Sequence, residues 1–459
     1  MITRLTVSEP TISKFLKFNS LLFALFFVIQ LGIVKLFHLD SLEEVMEFHW
    51  QFVDSSLLKS APLETIFLNH AQPPMLNLLV FIFLQLPFNI YQAFIIFNAI
   101  CMSIVCLIIF NILSKAVNRF IAIIFSLTYC AFPSVLLNVS YPFYTCVSAL
   151  GYSLIVYGFW KTFHRSRIGV VFFVVGLIVV NNTRTSFTFL HVAILITLFM
   201  VLNLRMIHRN TPLLLVLAFT GVLSLVVPTK NLLLYDFFGS SSWINQTVAS
   251  GWKLNAPLGY FPTPEKIKGN YPDLVCRNIH TQLDIQERKI NGQPNFHSCL
   301  VLEYSKILES QGLNGYSLGK HIRSIYGYTL EYLSLPDSYM FLTNRDQIWF
   351  YSELMKLPQL SITLQLFQYG GTYSVRFTLV LVMILLTICL FRKPDEFIKF
   401  SFLLLSLHFL TYTFSEGIES RRHIFEVEFL FFILLPILLK KFRRGDVATL
   451  DRRNHNTIK

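Results

Sequence analysis

The stretch NHAQPPMLNLLVFIFLQLP, residues 69–87, decides how this chain is threaded. After Pro74 it is apolar enough to pass for a membrane crossing. Residues 73–87 are only about 15 in number, however, and a helix needs roughly 17–25 to span about 30 Å of hydrocarbon. Pro73 and Pro74 suit a first helical turn, where the N–H groups would be unpaired anyway. The segment therefore reads as an interfacial or re-entrant half-helix at the outer face, behind a His-Ala-Gln-Pro-Pro corner.

Composition requires the membrane. Of 459 residues, 54% are hydrophobic, 14% are charged and 46 are Phe, more apolar surface than a soluble chain can hide. Span-length apolar runs fall near 18–37, 89–113, 120–136, 144–160, 168–182, 187–204, 212–233, 374–391, 400–414 and 424–439, about ten crossings. With 73–87 left out of the count, the basic groups at Arg4, Lys14 and Lys17, at Lys115 and Arg119, at Lys161, Arg165 and Arg167, at Arg205 and Arg209, at Arg392 and Lys393 and at 440–444 all fall on one side. The positive-inside rule makes that side cytoplasmic, together with both termini. The net charge of +12 then reads as topology signal and attraction to anionic lipid, not as a nucleic-acid footprint.

The expected architecture is an all-α polytopic membrane protein with outer-face juxtamembrane helices and a mainly helical outer domain. Residues 1–17 form a cytoplasmic tail. Residues 18–233 form a transmembrane module whose first apolar stretch is a signal anchor and whose first outer loop is 38–88. An outer loop domain follows at 234–373, then transmembrane helices at 374–439 and a basic tail at 440–459. Among seven cysteines, Cys276 and Cys299 alone lie in the outer domain. An oxidising compartment favours a disulfide between them; the alternative is two buried free thiols. No Cys/His set has zinc spacing.

Phosphate-binding glycine loops, dinucleotide fingerprints, G-x-S-x-G and H-E-x-x-H are all missing from the sequence, which excludes the commonest nucleotide, redox and hydrolase designs. What remains are polar residues at span ends. Asp40 follows the first span, with Glu43, Glu44 and Glu47 a turn or two on. Such an acid is either a surface charge or, at the mouth of an apolar cleft, a base. Arg184 sits in the short connection VVNNTRTSFTFLH, where it either snorkels to water or binds a phosphate bidentately. In TFSEGIESRRHIFEVEF, Glu426 and Glu428 lie in an apolar run where acids are costly, with Arg421 or Arg422 the nearest partner in sequence.

The layout of a first span, an acid beyond it, a loop of about 50 residues closing on His70-Ala71-Gln72-Pro73-Pro74-Met75, several spans and a large outer domain resembles the GT-C superfamily of polyprenyl-phosphate-dependent glycosyltransferases. It is similar above all to the protein O-mannosyltransferase and lipid A aminoarabinose transferase branch, whose first loop ends in a His-Pro-Pro-Leu-like motif. Here two residues separate His from Pro. The likeness covers roughly residues 15–205 and, more faintly, ESRRH at 419–423.

That resemblance implies inverting transfer of a sugar from a polyprenyl-phosphate donor in the membrane to an acceptor hydroxyl on a glycan, lipid or protein. Asp40 matches the first-loop catalytic acid, His70 the motif histidine and Arg184 the cation near the lipid phosphate. Substrate contacts would come from Glu43, Glu44, His70, Gln72 and Arg184, and further from Tyr141, Tyr144, Glu419, Arg421 and Arg422. Metal-dependent members carry acids in the second outer loop; NVSYPFYTC, 138–146, has none. The expectation is therefore no cofactor and no catalytic divalent metal. A transporter or lipid flippase, or a non-enzymatic assembly partner, remains open from the residues alone. The membrane is either a bacterial inner membrane or the endoplasmic reticulum, which the sequons at Asn138, Asn181 and Asn245 do not separate.

Overall fold

The computed structural model describes residues 9–36, 52–53, 55–87, 89–184, 188–203, 211–252, 254–259, 262, 264–274, 299–312, 314–323, 395–415 and 425–441. Among the described residues every regular element is a helix. In chain order these are α1 (Glu9–Leu36), α2 (Ser55–Ser60), α3 (Pro62–Leu68), α4 (Met75–Phe83), α5 (Ile90–Ala116), α6 (Arg119–Cys130), α7 (Pro133–Ser140), α8 (Thr145–Phe163) and α9 (Ile168–Thr183). Then come α10 (Phe189–Leu202), α11 (Thr211–Leu223), α12 (Val226–Tyr235), α13 (Ile244–Gly251), α14 (Pro264–Asn270), α15 (Cys299–Gln311), a short helical stretch at 318–323, α16 (Glu396–Ser415) and α17 (425–441).

Among the described residues three stretches are long and apolar enough to cross a membrane: Lys17–Leu36, Ile90–Ala116 and Thr211–Tyr235. They mark the chain as a membrane protein. A fourth arises if α6 and α7 act as one span, bent by 51°. The bend falls where Phe132 is extended (φ −70°, ψ 138°) ahead of Pro133, as a residue before proline must be. The count of ten read from the sequence is not reached by length and composition among the described residues. The expected spans at 168–182 and 187–204 are helices of 16 and 14 residues, and the expected span at 374–391 lies outside the described residues.

Residues 73–87 hold what the prolines require. The helix α4 has nine residues and Pro74 as its N-cap, so at 1.5 Å per residue it covers only about 14 Å. It lies on the bundle through Leu76, Leu79, Val80 and Phe83.

Burial against water does not hold helices together inside a bilayer, where lipid tails are as apolar as leucine; close backbone approach does. The pair α8 and α9 relies on it. Gly151 and Gly158 on one helix face Gly176 and Gly169 on the other. A Cβ at Gly158 would stand 2.6 Å from the Gly169 carbonyl oxygen, and one at Gly176 would stand 2.5 Å from that of Gly151. Around this contact Phe159 stacks on Phe400 of α16 (4.1 Å) and Phe173 on Phe199 of α10 (4.0 Å).

Basic residues gather at one end of the bundle. Lys115 ends α5 and Lys161 ends α8, close enough for their charges to repel. From α17, the Lys440 ammonium donates to the carbonyls of Ala116 (2.6 Å) and Val117 (3.3 Å). Lys441 pairs with Asp395 at 2.5 Å, just ahead of α16. The alternation read from the sequence thus brings these connections together in space.

Beyond the opposite end, α13, α14 and α15 form a small core of Trp243, Ala249, Leu258, Ile267, Val301, Tyr304 and Leu308, and Ala71 of the corner belongs to it. Cys299 is disulfide-bonded. Its expected partner Cys276 lies outside the described residues.

Candidate functional site

Two consecutive residues that compete with their own helix end α9. The Asn182 amide donates to the Ile178 carbonyl at 2.8 Å, and the Thr183 hydroxyl bonds the Val179 carbonyl. Such bonds to the preceding turn weaken helix continuation, and Arg184 leaves in an extended conformation (φ −109°, ψ 130°). That turn aims its side chain back into the bundle, where it is only 2% exposed.

There the guanidinium is gripped from two sides. Nη2 donates to Glu426 Oε1 of α17, and Nη1 donates to the Tyr144 hydroxyl at 3.0 Å. Its Cζ lies 4.7 Å from the Tyr144 ring centroid. The second Glu426 oxygen faces His408 Nε2 of α16 at 3.6 Å, and the His408 ring packs edge-on against Tyr152 of α8. One buried cluster thus joins α8, α9, α16 and α17.

Arg184 therefore does not snorkel, and a protein carboxylate meets it where the sequence left open a phosphate. Glu426 pairs with Arg184; Arg421 and Arg422, to which the sequence points, lie outside the described residues. A lone arginine or glutamate in hydrocarbon would be costly; together, with a tyrosine hydroxyl and an imidazole alongside, they approach neutrality.

Glu428, two residues on, takes the other direction and accepts from Ser134 Oγ of α7 at 2.5 Å. The loop after α7 is held inside the bundle. The Asn98 side chain of α5, fully buried, donates to the carbonyls of Asn138 and Val139 (each 3.3 Å) and Tyr141 (2.9 Å). One amide thereby satisfies helix-end carbonyls that would otherwise be stranded away from water. Tyr141 and Tyr144 consequently sit buried, at 3% exposure each. The stretch read from sequence as an outer loop is thus a wall of the cluster.

The His-Ala-Gln-Pro-Pro corner is also buried. Asn69 Oδ1 accepts from the amides of Ala71 (2.9 Å) and Gln72 (3.3 Å), turning the chain. His70 Nδ1 meets Ser242 Oγ at 2.9 Å, and the Ser242 amide donates to the His70 carbonyl at 2.9 Å. The Lys230 ammonium donates to the carbonyls of Phe67 (2.9 Å) and Asn69 (2.7 Å), and the Tyr235 hydroxyl to that of Leu68. His70 and Gln72 are thus built into a seam between the segment before α4 and the one after α12.

Asp40, Glu43, Glu44, Glu419, Arg421 and Arg422 lie outside the described residues. His408, Asn98 and Ser134 were not singled out from the sequence. The signal was an isolated polar residue in an apolar helix, as with His408 in LLSLHFLTY. Among the described residues no group of three or more His, Cys, Asp or Glu could hold a metal ion. No family model, curated protein or solved structure matches the chain.

Proposed function

We propose that the chain is an integral-membrane inverting glycosyltransferase of the GT-C type, moving a sugar from a polyprenyl-phosphate donor to an acceptor hydroxyl at the outer face. The observation that carries this reading is the Arg184–Glu426 pair with Tyr144 and His408 around it. Ionisable residues at membrane depth are expensive and mark function by default, and this cluster lies at the end of the bundle away from the basic loops. A guanidinium there suits a departing phosphate because its fork matches phosphate oxygens. In the resting protein Glu426 would hold the fork in place. Asp40 is the proposed base for the acceptor, and Arg421 or Arg422 a second cation near the donor. The buried corner at His70 and Gln72 serves by fixing the wall that α4 forms. On this reading the shorter helices also lie within the membrane, bringing the crossings to about ten, in a bacterial inner membrane or the endoplasmic reticulum.

A carrier or flippase is the second reading, favoured by Glu426 standing between Arg184 and His408, an arrangement suited to exchanging partners when a proton arrives. The two separate in one experiment. Purified protein is given a radiolabelled polyprenyl-phosphate sugar in detergent, where transport has no meaning. Release of free polyprenyl phosphate that depends on acceptor and on Asp40 supports the transferase. Intact donor, with movement of label across sealed proteoliposomes, supports the carrier.

A further inference from the structure

We propose that the basic end of the bundle is a binding surface for acidic phospholipid head groups, with Arg165 as its dedicated contact. The turn between α8 and α9 is the first observation. The Ser166 amide bonds the Lys161 carbonyl at 2.9 Å and the Arg165 amide bonds that of Thr162 at 2.7 Å, the two bonds of a Schellman helix end. Its left-handed position is ordinarily a glycine. Here it is Arg165, at φ 62°, exposed to solvent. Glycine would hold this backbone with less strain, so the fold alone does not account for the guanidinium.

Uncompensated charge at the same end is the second observation. Lys441 is neutralised by Asp395 and Lys399 by Glu396. Lys115, Arg119, Lys161, Arg165 and Arg167 have no carboxylate partner among the described residues. Lys115 and Lys161 moreover repel one another, and a shared anion between them turns that repulsion into attraction. Exposed Phe120 (73%), Phe163 (37%) and Ile168 (54%) stand beside these charges in sequence. A phosphodiester on acyl chains meets both needs at once, its charge on the amines and its tails along the apolar residues. A soluble anion meets only the first.

The test uses the full chain in a non-ionic detergent and reads the thermal unfolding midpoint. Phosphatidylglycerol should raise the midpoint where phosphatidylcholine does not. Arg165→Gly should melt no lower than the parent without lipid, because backbone strain is relieved, yet keep less than half of the phosphatidylglycerol shift. Lys115→Gln with Lys161→Gln should melt higher without lipid and lose the shift. Variants that retain the full shift overturn the proposal. So does an Arg165→Gly variant that melts lower without lipid, since Arg165 would then serve the fold. Equal stabilisation by inorganic phosphate at the same concentration also overturns it, because the surface would be taking a free anion.

Discussion

Arg184 and Glu426 form one buried ion pair although 242 residues separate them in sequence. The pair ties the end of α9 to α17 and recruits Tyr144 and His408, so it is both a structural clasp and the centre of the proposed site. Replacing Arg184 by Gln takes the guanidinium away from the buried Glu426 carboxylate. Breaking a buried pair in this way costs about 3–5 kcal/mol. The double replacement Arg184→Gln with Glu426→Gln should recover most of that loss, while transfer stays abolished. Melting curves of the single and double variants decide it, and additive losses would mean the two residues do not act on each other.

Asp40→Asn should lower release of polyprenyl phosphate by roughly 10²–10⁴-fold, the contribution of a positioned base, with an unchanged melting midpoint. EDTA should leave turnover unaltered. Wild-type turnover in the variant would move the base to Glu43 or Glu44 or remove the enzyme reading altogether. Inhibition by EDTA that manganese reverses would restore a catalytic metal.

Glycine replacements should differ sharply by position. Gly158→Ala forces a methyl to within 2.6 Å of the Gly169 carbonyl oxygen, and overpacking of this kind costs about 1–3 kcal/mol. At Gly32 in α1 nothing lies within 4 Å of an added Cβ, and the same substitution should gain roughly 0.5–1 kcal/mol from helix propensity. Parallel denaturation of the two variants checks the contrast. A neutral Gly158→Ala would show that α8 and α9 do not rely on close approach.

His321 should make the layer of α13, α14 and α15 acid-sensitive. Its side chain is buried against Trp252 and Tyr316, and burial lowers its pKa from the ordinary 6.5. The folded state therefore prefers neutral imidazole. Its stabilisation is complete above the unfolded pKa and is lost as pH falls below about 6.5 toward the folded value, because the unfolded chain then binds the proton more readily. Hydrogen exchange in 299–323 should accelerate between pH 7.5 and 5, and His321→Gln should flatten that dependence. A flat profile in the parent chain would discount the histidine.

Cys299 is already in a disulfide, and the expected partner is Cys276. Non-reducing peptide mapping should recover the two in one cross-linked peptide. A link to Cys389 instead would mean the chain returns to the outer layer in another way. On the chain-entropy account a closed loop of about 22 residues is worth roughly 3 kcal/mol, so reduction should lower the melting midpoint of the outer layer.

The half-helix at Met75–Phe83 was legible because proline acts locally, through its own ring and missing N–H, whatever surrounds it. The gathering of Lys115, Lys161 and Lys440 at one end was legible because the sorting of positive charge repeats along the chain and needs no knowledge of neighbours. Of the ten spans expected from sequence, three are long and apolar enough among the described residues. A hydropathy window sums composition and does not register that α9 stops at Thr183 or that the chain bends at Phe132–Pro133.

Composition and charge pattern were enough to read a helical membrane chain, where its basic loops gather and that Arg184, Glu426 and Glu428 are too costly to lie idle in apolar surroundings. Who meets whom emerged only in the folded chain: Glu426 with Arg184, Glu428 with Ser134, Asn98 with the carbonyls after α7, and His70 with Ser242. The reason is physical. Cost is a property of one residue and its solvent, and is written in composition. Partnership depends on which helix faces adjoin, and that is set by glycine contacts between successive helices and by aromatic packing that reaches across the chain, as from Phe159 to Phe400.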